Sequence, residues 1–158
     1  MILKKSSMDK IIVSDTSCLI ALSKIGFLNI LRDLFKEIII TKEVRDEFGS
    51  NLSEWIIIAE VKNKDKQIEI EKRLDRGEAN SIAIALEIKD STLIIDEVKG
   101  WNIAKSLHLD IIGTIGILLI AQKKDIIKDA LSIILKLQNK GFRLSETIIE
   151  KIREDLSK

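Results

Sequence analysis

Two short β-branched runs each close on an aspartate, and this repeated ending restricts the folds open to the chain. They are Ile11-Ile12-Val13-Ser14-Asp15 and Thr92-Leu93-Ile94-Ile95-Asp96. A continuous apolar run of this length reads as a strand buried on both faces, as in a parallel sheet covered by helices. Its carboxyl end is the edge at which open parallel sheets build their sites. Residues 37–41, 55–61 and 110–112 supply three further runs of the same kind. Between them lie stretches of helical spacing. Residues 17–34 are interrupted at Gly26, and Thr41 is placed to cap a helix that runs to about Phe48 and stops at Gly49. Residues 62–72 form a charged loop entering a helix. Residues 78–89 carry Ala79, Ile82, Ala83, Ala85, Leu86 and Ile88 on one face. Helical stretches at 101–107, 115–124, 127–139 and 145–156 complete the chain. Strands alternating with helices predict an α/β fold: three layers, α/β/α, around a mainly parallel central sheet of about five strands.

The 158 residues fit a single domain over 1–158, with a helical carboxyl-terminal segment from about 126 to 158. An apolar share of 46% and a charged share of 32% exclude a disordered chain, and an aromatic share of 4% leaves the core to Ile and Leu. The formal charge of +1 announces no global attraction to nucleic acid, so any such attraction must come from a local patch. The single Cys18 excludes an internal disulfide and reads as a packed thiol in a reducing compartment. The amino terminus lacks a signal segment, and the apolar run at 111–121, broken by glycines, is far short of the ~20 residues of a membrane span. A cytoplasmic protein with no membrane association is expected.

Acidic groups gather if the sheet is parallel. Asp15 and Asp96 leave strand ends, Glu47 lies on the helix after the second strand, and Glu43 stands one turn before it on the same side. Glu78 opens a helix directly after Gly77. Each has a structural reading: Asp15 as a helix cap, Glu78 as an anion favoured by the helix dipole. Together, several carboxylates in one cleft repel one another unless a cation neutralises them, and hard Mg²⁺ or Mn²⁺ suits an all-oxygen donor set. No Cys/His spacing suggests zinc, and the lone His108 reads as a surface or helix-end residue. Other chemistries lack their parts. Neither a P-loop nor a G-x-G-x-x-G follows a strand, and no G-x-S-x-G is present. An aspartyl phosphatase wants a second Asp where Ser17 stands, and a phosphoacceptor domain wants an acidic pair after the first strand.

Val13-Ser14-Asp15-Thr16-Ser17, the Glu-bearing stretch 41–48, Arg76-Gly77-Glu78-Ala79 and Leu93-Ile94-Ile95-Asp96-Glu97 occur in the order seen in PIN domains. The chain resembles the branch that carries D-T-S-x-L-I-A-L (here residues 15–22), G-E-A (77–79) and G-T-x-G-x-L (113–118), and the likeness spans about residues 11 to 145. The resemblance implies a Mg²⁺- or Mn²⁺-dependent endoribonuclease that cleaves RNA, typically the toxin of a type II toxin–antitoxin pair, with an antitoxin protein and a second copy of itself as partners. It implies a carboxylate quartet of Asp15, Glu47, Glu78 and Asp96, with Glu43 competing with Glu47. Ser17 would set a hydroxyl beside the metal and Thr114 a further polar group, while Glu97 reads either as a fifth ligand or as solvent-facing. Glu78 departs from the Asp found in many PIN domains. Lys42, Arg45, Arg76, Lys99 and Lys105 are candidates for phosphate contacts, and Trp101 either stacks on a base or packs in the core. The helices at 115–139 offer either a dimer face or simply core. The alternative function is a catalytically weak or inactive PIN-like module that binds RNA or protein.

Overall fold

The β-branched runs form strands, and the stretches between them form helices, throughout the computed structural model, which describes residues 10–49 and 51–157. The amino-terminal residues 1–9, on which the expected lack of a signal segment rests, and the last residue of the expected domain lie outside the described residues. In chain order the elements are β1 (Ile11–Ser14), α1 (Thr16–Lys24), α2 (Asn29–Phe35), β2 (Ile38–Thr41), α3 (Lys42–Phe48), β3 (Ile56–Ala59) and α4 (Lys64–Glu71). They continue with α5 (Arg76–Glu87), β4 (Ser91–Ile94), α6 (Val98–Ser106), β5 (Asp110–Ile112), α7 (Thr114–Lys123), α8 (Ala130–Asn139) and α9 (Glu146–Leu156). The five strands make one sheet in the order β3-β2-β1-β4-β5, and every neighbouring pair is parallel.

Successive strand residues point to opposite faces, so an unbroken Ile/Val run feeds two cores at once. Ile12, Ile38, Ile40 and Ile94 pack with Leu19, Leu22, Leu31, Ile117, Leu118 and Ile134 on one face. Val13, Leu93 and Ile95 pack with Ala79, Ile82, Ala83, Ile103 and Ala104 on the other. This is the three-layer α/β/α arrangement. The strand order reverses direction between β1 and β4, which pair Ser14 with Ile94 at their carboxyl ends. The crevice beyond such a switch point is where ligands bind in open α/β sheets. Asp15 stands one residue past β1 and Asp96 two past β4, at its mouth.

Caps set several boundaries. Thr41 Oγ1 accepts from Val44 N at 3.2 Å to start α3, and Gly49 ends it at φ +101°, a conformation side chains other than glycine's rarely adopt. Helix α5 begins at Arg76, ahead of the expected position, because Asp75 Oδ1 accepts from Glu78 N at 2.9 Å and caps it. Helices α7 and α8 turn Ile117, Leu118, Ile134 and Leu137 into the first core. None of the large apolar side chains left exposed among the described residues falls in the 115–139 span proposed for a dimer face. No helix among the described residues is long and apolar enough to cross a membrane.

Candidate carboxylate site

Four elements deliver carboxylates to the crevice beyond β1 and β4. Asp15 is 2% exposed, fixed by its backbone N–H to Ile94 O at 3.0 Å, and its side chain makes no cap bond to α1. Burial pushes its carboxyl up to about 7. The Thr16 backbone N–H draws it back, and Asp75, Glu47 and Asp96 push it further. Glu78, 7% exposed in the first turn of α5, is likewise pushed up to about 7 by burial and by Asp75, Asp15, Glu97 and Glu47. Asp96 is raised too, chiefly by burial, and Glu47, exposed on α3, is raised by partial desolvation and by Asp75. Thr114 opposes the shift at Asp96: its N–H donates to Oδ1 at 2.8 Å and its hydroxyl donates to Oδ2. At neutral pH these groups therefore hold protons more readily than exposed carboxyls do, because each charged form is desolvated and faces others of its sign.

Glycines make room for three of them. A Cβ at Gly77 would overlap Glu47 Oε1, so the Glu47 carboxylate lies against the bare backbone of α5. A Cβ at Gly113 would stand 2.8 Å from Asp96 Oδ1, and one at Gly100 would stand 3.2 Å from Glu78 Oε2.

The structure separates the expected residues into groups. Asp15, Glu47, Glu78 and Asp96 share one electrostatic field, in which Asp15 faces the other three. Glu97 joins it through Glu78 and is solvent-exposed. Glu43 is buried one turn from Glu47 and is engaged by Arg76 at 3.7 Å. Ser17 is exposed and lines a cleft with Ile20 and Phe142. Thr114 is fully buried and orients Asp96. Trp101 is half-buried against the second core, and His108 is exposed in the turn after α6. Two residues escaped sequence reasoning. Asp75 adds a further carboxylate facing Asp15, Glu47 and Glu78, and its signal was a cap-type residue just ahead of Arg76-Gly77-Glu78. Thr16, 5% exposed, has an Oγ1 with no well-formed hydrogen bond, although it lies near enough to favour the ionised form of Glu47. Nothing in the sequence distinguishes it from Ser17.

A model of the PIN domain matches residues 11–158. The chain belongs to the PIN-domain family. No curated protein and no solved structure matches it significantly. PIN domains are in general nucleases and usually use divalent metals.

This PIN domain suits a hard divalent cation in three respects. The donors are all oxygens, no cation among the described residues lowers the acidity of Asp15, Glu78 or Asp96 while Arg76 only partly offsets Glu47, and an orphaned buried hydroxyl stands beside them. Among the described residues, no three Asp, Glu, Cys or His side chains stand close enough to form a ready-made cation site, so the carboxylates share a field but not yet a coordination sphere.

Proposed function

We propose that this PIN domain is a Mg²⁺- or Mn²⁺-dependent endoribonuclease, with Asp15, Glu47, Glu78 and Asp96 as the residues that would hold the metal. The observation carrying this reading is that four carboxylates from four elements share one electrostatic field beyond the sheet's switch point, where Arg76 beside Glu47 is the one cation among the described residues that offsets any of them. When bound, such an ion lowers the pKa of a water and stabilises charge developing on a phosphodiester. The chain's own residues supply the rest. Thr114 holds the Asp96 carboxylate in one orientation through both its oxygens. Gly77 and Gly113 let Glu47 and Asp96 seat against backbone. Asp15 and Glu78 must give up protons before they can ligate at neutral pH, so metal affinity rises as pH climbs through about 7.

The decisive experiment pairs Mn²⁺ titration calorimetry with cleavage of a labelled RNA. Wild type should bind Mn²⁺ and cut, and Asp15→Asn and Asp96→Asn should each lose at least tenfold in both affinity and rate. A wild-type chain that neither binds Mn²⁺ nor cuts RNA would end the reading. One observation favours the alternative of a non-catalytic binding module: among the described residues no three donors meet. That module would bind RNA or protein while leaving RNA intact with Mn²⁺ present. A toxin role rests on the motif resemblance alone. It predicts growth arrest on expression of wild type but not of Asp15→Asn, relieved by a small antitoxin encoded beside it.

A further inference from the structure

Two clefts of about 340 and 270 Å³ open beside α1 and share Ile20 and Lys24, so they adjoin along that helix as the two parts of a groove. The groove starts at Ser17, two residues past Asp15, and reaches Lys24 about 10 Å further on at the helical rise. One end is flanked by Phe48 at the close of α3, and the other by Phe142 and Lys140 after α8. Among the described residues, no carboxylate lines either cleft. A third cleft, on α9, is lined by Glu146, Glu150 and Glu154 and offers the opposite chemistry.

Charge decides among occupants. Of the cations near the carboxylates in sequence, Lys42 is paired with Glu60, Arg45 with Asp46, and Arg76 with Glu43 and Glu71, while Lys99 and Lys105 are exposed and unpaired among the described residues but line neither cleft. Lys24 and Lys140 are exposed and form no ion pair among the described residues. Unpaired cations beside half-exposed aromatic faces are the surface chemistry of single-stranded nucleic acid, in which phosphates meet ammonium groups and bases stack. We infer that this groove is the path of single-stranded RNA into the carboxylate site, with Lys24 and Lys140 on phosphates and Phe48 and Phe142 beside bases. The inference rests on the nuclease reading above and adds the route of its substrate.

Both lysines also sit at helix carboxyl ends, where a cation complements the dipole, so a purely structural role would affect stability alone. The test therefore reads salt dependence. Binding of an unstructured fluorescent RNA oligonucleotide is followed by anisotropy in EDTA, which prevents cleavage, across a range of salt concentrations. Lys24→Gln and Lys140→Gln should each weaken binding several-fold at low salt and flatten the slope of log affinity against log salt by about 0.7. Lys151→Gln, in the acidic cleft, should match wild type. Lysine variants with wild-type affinity and slope would overturn the groove as an RNA path and leave it to a protein partner, while Mn²⁺-dependent cleavage by wild type would still stand. A wild-type chain that does not bind RNA in EDTA also overturns the groove as an RNA path, while its Mn²⁺-dependent cleavage decides the nuclease reading separately.

Discussion

Thr16 Oγ1 has been taken out of water and given no well-formed hydrogen bond in return. A buried hydroxyl left so costs about 1–3 kcal/mol, and the acidic group that feels it is Glu47 on α3. The hydroxyl can donate to that carboxylate once it is ionised, and Gly77 on the opposite side leaves the carboxylate no Cβ to avoid. Thr16→Val keeps the shape and removes the donor. It should leave the metal-free melting temperature unchanged or slightly higher, yet weaken Mn²⁺ binding by about tenfold, the effect of one lost hydrogen bond to a charged group. Thr16→Ser should restore it. If the valine variant binds Mn²⁺ as wild type does, the hydroxyl has no role beyond packing. Ser17, the more obvious candidate by family motif, is exposed one residue on. Its substitution by Ala should touch RNA binding before metal binding.

Among the elements, α5 carries the most of the site, and Gly77 shows how. The residue is helical and buried, so alanine there would ordinarily favour the helix by up to about 1 kcal/mol. Its methyl would instead meet the far end of the Glu47 side chain, which can swing away. Gly77→Ala should therefore fold with wild-type stability while cleavage falls at least tenfold, and equal losses of stability and activity would argue against the cradle. The strand ends were legible in the sequence because an apolar run terminated by Asp has few places to go in a parallel sheet; Asp15 and Asp96 appear where that argument put them. The caps at Thr41 and Gly49 were legible for the same local reason. Three features were not. Asp75 looked like punctuation before a helix, and only the packing of α3 against both α1 and α5 makes it part of an acidic field. Glu43 and Glu47 share a helix face, and Arg76, from a distant segment, distinguishes them by engaging the first. Which of Thr16 and Ser17 turns inward depends on the rotation of α1 against the sheet, a tertiary fact that no local pattern encodes.

On the scale of the whole molecule, an uncompensated acidic crevice makes stability depend on pH in the direction opposite to that of ion-paired surface acids. In the unfolded chain Asp15 and Glu78 ionise at their ordinary values of 3.8 and 4.5, whereas in the folded protein both titrate at about 7. Between those values the folded state holds more protons than the unfolded one, so stability falls as pH rises through that window and levels off above it. Glu60 has the reverse sign. Lys42 and Lys64 hold it low, so its contribution is lost only as pH drops below the ordinary carboxylate range, outside the window that matters here. In EDTA the melting temperature should thus be higher at pH 5 than at pH 8, by roughly 6–12 °C for a loss on the order of 3 kcal/mol. Asp15→Asn, which removes the most buried of these charges, should flatten the profile and raise the melting temperature at pH 8. Mn²⁺ at about a hundred times its dissociation constant should add about 2.7 kcal/mol, and because the ion competes with protons the gain should be larger at pH 8 than at pH 5. A metal-free melting temperature that stays level or rises between pH 5 and 8 would mean that the carboxylates are better solvated than their burial implies. The argument that they await a cation would then lose its physical basis.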